Sequence, residues 1–280
     1  MPVSTLLAHW LRGFSQIYLQ RAPAFGLLLL ILFALAAPTL LPGALLGALL
    51  GPALATLLPN TALDREDGLY AYNPILLGLL LSLHYAWTPA MAALLLRASR
   101  QRHGLPPYTL TFVLLGWLGL ALGQALQLKA ATPSSGLLAW LPSDFLLSAS
   151  TRAFGQVVFL DAPLAGLLLV LGLLLNAPRA TTWALLGAVL VLPLAVLAGL
   201  RSDLALDGLL GMNSALAALA LALRSQSPWP PLAGALLAVA VQQCLINLGW
   251  PVLTAPFVFA SYLVILGQRW LGSAPQRQSV

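Results

Sequence analysis

A shift of 140 positions brings this chain into register with itself. SQIYLQRAPAFGLLL (15–29) falls on GQVVFLDAPLAGLLL (155–169), and DGLYAYNPILLGL (67–79) falls on DGLLGMNSALAAL (207–219). Gln16 meets Gln156, Pro23 meets Pro163, Gly26 meets Gly166, Pro38 meets Pro178 and Asn73 meets Asn213. Upstream, Arg12 meets Arg152. After a five-residue insertion in the second half the offset becomes 145, and GLPPYTLTF (104–112) lies on GWPVLTAPF (249–257). A leucine-rich composition would match Leu to Leu, but it would not align Gln, Asn, Asp, Pro and Gly together. The chain is a tandem duplication, so any fold for one half must serve the other.

The solvent for that fold is lipid. Of 280 residues 60% are hydrophobic and only 7% charged, with a mean hydropathy of +0.92, where a soluble surface needs roughly 25% charged residues. Each half parses as an amphipathic lead-in followed by five apolar spans. They lie near 23–38, 42–60, 68–86, 88–101 and 105–125, then near 163–177, 181–200, 208–223, 230–247 and 251–268. Residues 1–125 are therefore expected to form the first repeat, 126–142 a linker, 143–270 the second repeat and 271–280 a tail. An odd number of spans turns the second half upside down. The expected fold class is an all-α integral membrane protein: an inverted-topology tandem repeat of ten transmembrane helices plus two re-entrant half-helices. No small-residue cleavage site follows the first apolar block, so it does not read as a removed signal peptide.

Charge fixes the expected orientation. Arg12, Arg21, Arg65, Arg97, Arg100, Arg102, Arg179, Arg224, Arg269 and Arg277 collect on the side of the N-terminus, and Lys129, Arg152 and Arg201 on the other. The positive-inside rule makes the arginine-rich side cytoplasmic, with both termini inside, in a cell (inner) membrane. The net charge of +6 is spread over loops and is not a nucleic-acid footprint. A single cysteine, Cys244, rules out an internal disulfide and a Cys cluster for metal.

The lead-ins, STLLAHWLRGFSQIYLQ (4–20) and DFLLSASTRAFGQVVFL (144–160), begin with the N-cap residue types Ser4 and Asp144. They are too polar to face lipid and too close to the next span for a crossing and a return. Re-entrant half-helices packed in protein fit both. A helix lying on the membrane surface is the alternative, and two lead-ins in mirror register weigh against it.

The seven carboxylates, Asp64, Glu66, Asp67, Asp144, Asp161, Asp203 and Asp207, fall at span ends or loops. Coupled pumps use ionisable groups inside the membrane, and here only His84, near a span end, approaches that description. It reads as an interfacial histidine. Neither a catalytic acid–base pair nor metal-ligand spacing is present, so enzymatic chemistry is not expected. Inside the spans remain neutral hydrogen-bonding groups at symmetric positions: Gln16 and Gln156, Thr109 and Thr254, Asn73 and Asn213. Such groups can replace part of an uncharged solute's hydration. Plainer roles compete: a membrane Thr can bond to its own helix, and Asn at the start of an apolar run can cap it.

The LPxxTxPF-like segments, the Gln that closes each lead-in, and the GLYAYN and GLLGMN runs resemble the urea transporter family over nearly the whole chain. With no metal-ligand spacing and no phosphate loop in the sequence, neither cofactor nor metal is expected. The resemblance implies a homotrimer with one urea-selective, channel-like pore per protomer. It places Thr109 and Thr254 at the narrow centre, Gln16 and Gln156 near the mouths, and Leu19 and Phe159 beside them as slot residues. Tyr72 and Met212 would form the facing slot walls, with Asn73, Pro106, Asn213 and Pro251 supporting the pore. Pro106 and Pro251 are expected to break helices at depth. The half-helices are expected to end with unpaired carbonyls that suit amide donors. Passive passage of urea is the resulting expectation. A channel for another short amide, ammonia or water, or an ion-coupled transporter, is the alternative. Thr111 and Trp250 depart from the motif, and Leu19 and Met212 replace aromatics expected in the slots.

Overall fold

The computed structural model describes residues 3–55, 64, 66–86, 106, 108–132, 136–140 and 147–272. The expected span 88–101, the end of the span 42–60, the cap Asp144, most of the tail, and Arg65, Arg97, Arg100, Arg102 and Arg277 lie outside these residues. The described first half contains α1 (Val3–Ser15), α2 (Pro23–Ala36), α3 (Leu41–Ala55), α4 (Tyr72–His84) and α5 (Leu110–Ala125). The second contains α6 (Ser148–Gln156), α7 (Pro163–Asn176), α8 (Pro178–Leu197), the short α9 (Ser202–Leu206), α10 (Leu209–Arg224), α11 (Trp229–Asn247) and α12 (Ala255–Gly272). Leaving aside the lead-ins α1 and α6 and the short α9, each remaining helix answers to one expected span.

Proline sets where these helices begin and end. Pro23 and Pro163 open α2 and α7 at the first turn, where their missing N–H costs nothing. Ala37 and Ala177, each before a proline, leave helical geometry with φ/ψ of −149°/69° and −146°/66°, as the clash with the following ring requires. α2 and α7 thus correspond residue for residue at the 140 offset. By length and apolarity α8 and α11 suffice to cross a bilayer alone, and α1 with α2 makes a pair bent by 77°. The bend at 19–22 is what a re-entrant lead-in turning into its first span needs.

Three sequence expectations are corrected. Ser4 lies inside α1, not ahead of it, and α6 begins at Ser148, four residues beyond Asp144. Pro251 does not interrupt a helix: it sits in the irregular approach to α12, which starts only at Ala255. Pro106 is itself non-helical and α5 starts only at Leu110, while residues 87–105 and 107 lie outside the described ones. The prolines hold the chain out of helix long enough to deliver Thr109 and Thr254 to the helix starts.

Glycine lets these helices touch. A Cβ on Gly43, Gly47 or Gly51 of α3 would lie within 2.3 Å of a backbone oxygen of Gly78, Pro74 or Tyr70. This is the small-residue stripe by which membrane helices approach without water to drive them together. Gly26 and Gly166 do the same for the lead-ins, with a Cβ 1.9 Å from the carbonyl oxygens of Leu11 and Thr151. Phe14, Tyr18, Phe25, Phe33 and Phe154 fill the buried centre, while Leu27, Leu118, Leu175, Leu263 and Trp270 stay exposed, as a lipid-facing surface allows.

Gly26→Ala should therefore destabilise by about 1–3 kcal/mol or more, because backbone rather than a side-chain tip must move. Gly267→Ala, where nothing lies within 4 Å, should be neutral or stabilising. Thermal unfolding of the detergent-solubilised protein distinguishes the two.

Candidate functional site

Each lead-in ends in the same closed turn. Leu19 N–H donates to the Gln16 carbonyl at 3.0 Å and Gln20 N–H to that of Ser15 at 3.1 Å; Phe159 and Leu160 repeat this on Gln156 and Gly155 at 3.1 and 3.0 Å. This is the Schellman closure that usually carries glycine at its left-handed position. Here Leu19 and Phe159 occupy it, with φ of 59° and 61°, at a cost of roughly 1–2 kcal/mol each. The expected row of unpaired carbonyls is accordingly cut back, because the turn consumes several of them. Side chains take the rest of the strain: Gln16 Nε2 donates to the Asp67 carbonyl at 2.9 Å and Gln156 Nε2 to that of Asp207 at 3.0 Å. Both glutamines thus tie a lead-in to the loop before the Asn-bearing helix of the same half.

At the centre the two halves meet. Thr109 and Thr254, 4% and 3% exposed, hydrogen-bond to each other through their hydroxyls at 2.7 Å. Each stands at a helix start, where a threonine normally turns its hydroxyl back to cap the third N–H. Neither does so. Phe112 N–H donates instead to Asn73 Oδ1, and Phe257 N–H to Asn213 Oδ1, both at 3.2 Å. The Asn amides also donate to the carbonyls of Tyr108 and Leu253, at 3.4 and 3.0 Å. Asparagine is a cap, as its position suggested, but for the neighbouring helix rather than its own. With that duty met from outside, the threonine oxygens are free to face one another.

Two cavities open beside the two lead-in turns, and neither Thr109 nor Thr254 lines them. One, of about 230 Å³, is lined by Gln16, Leu19, Arg21, Tyr72, Pro106 and Arg224 among others. The other, of about 280 Å³, is lined by Phe159, Asp161, Leu83 and Thr132 among others. Each draws its turn residue from one half and a helix end from the other: Leu19 with Leu223 of α10, Phe159 with Leu83 of α4. α2 leaves the first cavity just after Arg21 and ends at the second with Ala36, so the cavities lie about 20 Å apart. Gln156 and Met212 line neither of these two, and Met212 is buried. His84 Nδ1 lies 3.0 Å from the Leu80 carbonyl of its own helix.

Three residues that the sequence pattern did not assign to the site stand close to it. Tyr108, with φ of 38° beside the φ of 46° of Leu253, precedes the central threonine, and its carbonyl accepts from Tyr72 Oη at 2.6 Å. Gln242 of α11 accepts from Asn213 Nδ2 at 2.9 Å and donates to the Leu209 carbonyl at 2.8 Å. The third is Asp161, which faces Arg21 across the 140 offset with opposite charge and pairs with Arg152 at 3.3 Å. Only the offset comparison could have flagged Arg21 against Asp161; Gln242 leaves no signal in a single sequence.

Neutral hydrogen-bonding groups buried at the centre of an apolar helical protein, with a cavity at each lead-in turn, are the equipment of a membrane transport protein for small uncharged molecules. The sequence profile of the urea transporter family matches residues 7–269. The chain belongs to that family, and urea is the solute the family carries.

The outside caps can be checked. Asn213→Leu keeps the volume but strands the Phe257 N–H and the Leu253 carbonyl, and should cost about 1–3 kcal/mol. A fall in the unfolding temperature shared by Asn73→Leu is the expected result.

Proposed function

We propose that the chain forms a passive, channel-like urea pore that runs from the Arg21 cavity, between Thr109 and Thr254, to the Asp161 cavity. The observation that carries this reading is the hydroxyl pair at 2.7 Å, contributed one from each repeat and relieved of capping. Urea is flat and neutral, with one carbonyl acceptor and four N–H donors. Leu19 and Tyr72 at one mouth and Phe159 at the other offer apolar faces that favour a flat solute. Gln16, Gln156 and Met212 complete the expected mouths and slot walls.

The threonines then act as a gate of low cost. A solute that parts them breaks one hydrogen bond worth about 1 kcal/mol net. It gives each hydroxyl a new partner: an N–H for the oxygen, a carbonyl for the O–H. Such an exchange leaves little net binding, which is what rapid passage requires. Solutes without both donors and acceptors leave a hydroxyl unpaired and meet a higher barrier. In this reading both termini are cytoplasmic, the two repeats are inverted, and three protomers assemble around independent pores.

Two experiments test the proposal. Urea flux into proteoliposomes should follow the urea gradient alone; accumulation above equilibrium driven by a proton or sodium gradient would contradict a passive pore. Thr109→Val and Thr254→Val keep shape and remove an oxygen. Each should slow stopped-flow urea uptake roughly five- to a hundred-fold, if the 1–3 kcal/mol of an unpaired group falls on the barrier. Thr→Ser should be mild, and the double Val variant slower than either single one. Near-normal uptake in folded Val variants would remove both residues from the path.

A further inference from the structure

We propose that the cavity at the Arg21 end is a binding site for small molecules that carry a carboxylate beside a planar amide, of which ureido acids are the simplest. The site stands on a mismatch. Tyr108 is 5% exposed, and its hydroxyl is enclosed without a hydrogen-bond partner among the described residues. Its ring is held in place by Phe257, with centroids 5.0 Å apart, and by Tyr262, at 5.9 Å. A buried hydroxyl left unpaired in this way is costly and asks for an acceptor. Arg224 lines the same cavity and lies within electrostatic reach of that hydroxyl. Among the described residues it forms no ion pair. Arg21, also on the cavity, is already engaged by Asp67 at 3.2 Å.

A phenol O–H and a guanidinium fork are both donors, and neutral urea cannot satisfy the charge of the second. A carboxylate can, through the paired geometry that Arg and a carboxylate share. The rest of the cavity wall includes Leu19, Leu69, Tyr72 and Leu223, whose apolar faces suit a flat amide, and the Gln16 side chain. The opposite mouth lacks the set. At the symmetric positions the sequence has Leu253 for Tyr108, His84 for Arg224 and Asp161 for Arg21, and among the described residues that cavity is lined by the hydroxyls of Thr39, Ser82 and Thr132 and the Asp161 carboxylate, with no arginine. The site therefore belongs to one face of the membrane only.

The probe is N-carbamoylglycine, titrated calorimetrically into the protein in lipid nanodiscs. Saturable binding is expected. Arg224→Gln should weaken it roughly tenfold or more, the worth of a charge-assisted hydrogen bond, and Tyr108→Phe, which keeps the ring stacked, several-fold. The neutral amide of the same probe should bind equally to wild type and Arg224→Gln. Added to sealed vesicles of either orientation, the probe should slow urea uptake only from the face that exposes Arg224. No saturable heat, equal affinity in wild type and Arg224→Gln, or an equal loss in Arg201→Gln at a distant loop would overturn the site. Because binding is read without transport, a protein that binds the probe but carries no urea would keep this site and lose the pore.

Discussion

A helix start leaves three or four N–H groups without partners, and something must answer them. In this protein the answer for α5 and α12 comes from Asn73 and Asn213 on neighbouring helices, each reaching the third N–H at 3.2 Å. Were the caps local, Thr109 and Thr254 would turn inward to their own helices, and the interior would hold no free oxygen at its centre. Supplying the caps from α4 and α10 does two things at once. It pins each of these helices to the start of the α5 or α12 of its own half, and it releases one hydroxyl per half to meet its counterpart. The Gln242 contact braces the second of these caps from α11.

Around that arrangement the backbone carries strain in matched pairs. Leu19 and Phe159, then Tyr108 and Leu253, all hold positive φ, where bulky residues seldom rest. Strain that recurs at equivalent places in both repeats is built in by the fold and needs support. The glutamine bonds to the Asp67 and Asp207 carbonyls and the asparagine bonds to the Tyr108 and Leu253 carbonyls supply it. The payload is position: strained residues flank the hydroxyl pair on both sides, and Leu19 and Phe159 open onto the two cavities. Symmetry stops at particular side chains: Asp161 stands where the first half has Arg21, so the two cavities share a backbone turn and differ in charge.

The duplication made much of this legible. The 140 and 145 offsets matched Gln with Gln, Asn with Asn and Thr with Thr, and every such pair has matching contacts in the structure. α2 and α7 could be read nearly to the residue, because proline marks both of their ends. The apolar runs at 105–125 and 251–268 begin before their helices do, because Pro251–Thr254 is not helical and α5 starts only at Leu110. Bonds across helices were beyond reach: nothing in the sequence says that Asn73 serves Phe112, or that Gln242 lies beside Asn213. Nor does it show that leucine and phenylalanine would take a turn position normally given to glycine, which is why the carbonyls there were expected to be free. Tyr108 escaped because its partner position holds Leu253, and a symmetry argument is blind to what only one half carries.

If the paired hydroxyls are where the solute sheds its last water, anomalous diffraction from crystals soaked in selenourea will show it, because selenium reports position without interpretation of weak density. A peak is expected on the line between the two cavities, with the amide nitrogens in hydrogen-bonding reach of Thr109 and Thr254 and the threonine pair parted. A hydroxyl pair still bonded at 2.7 Å while selenium occupies a different route through the protein would contradict it.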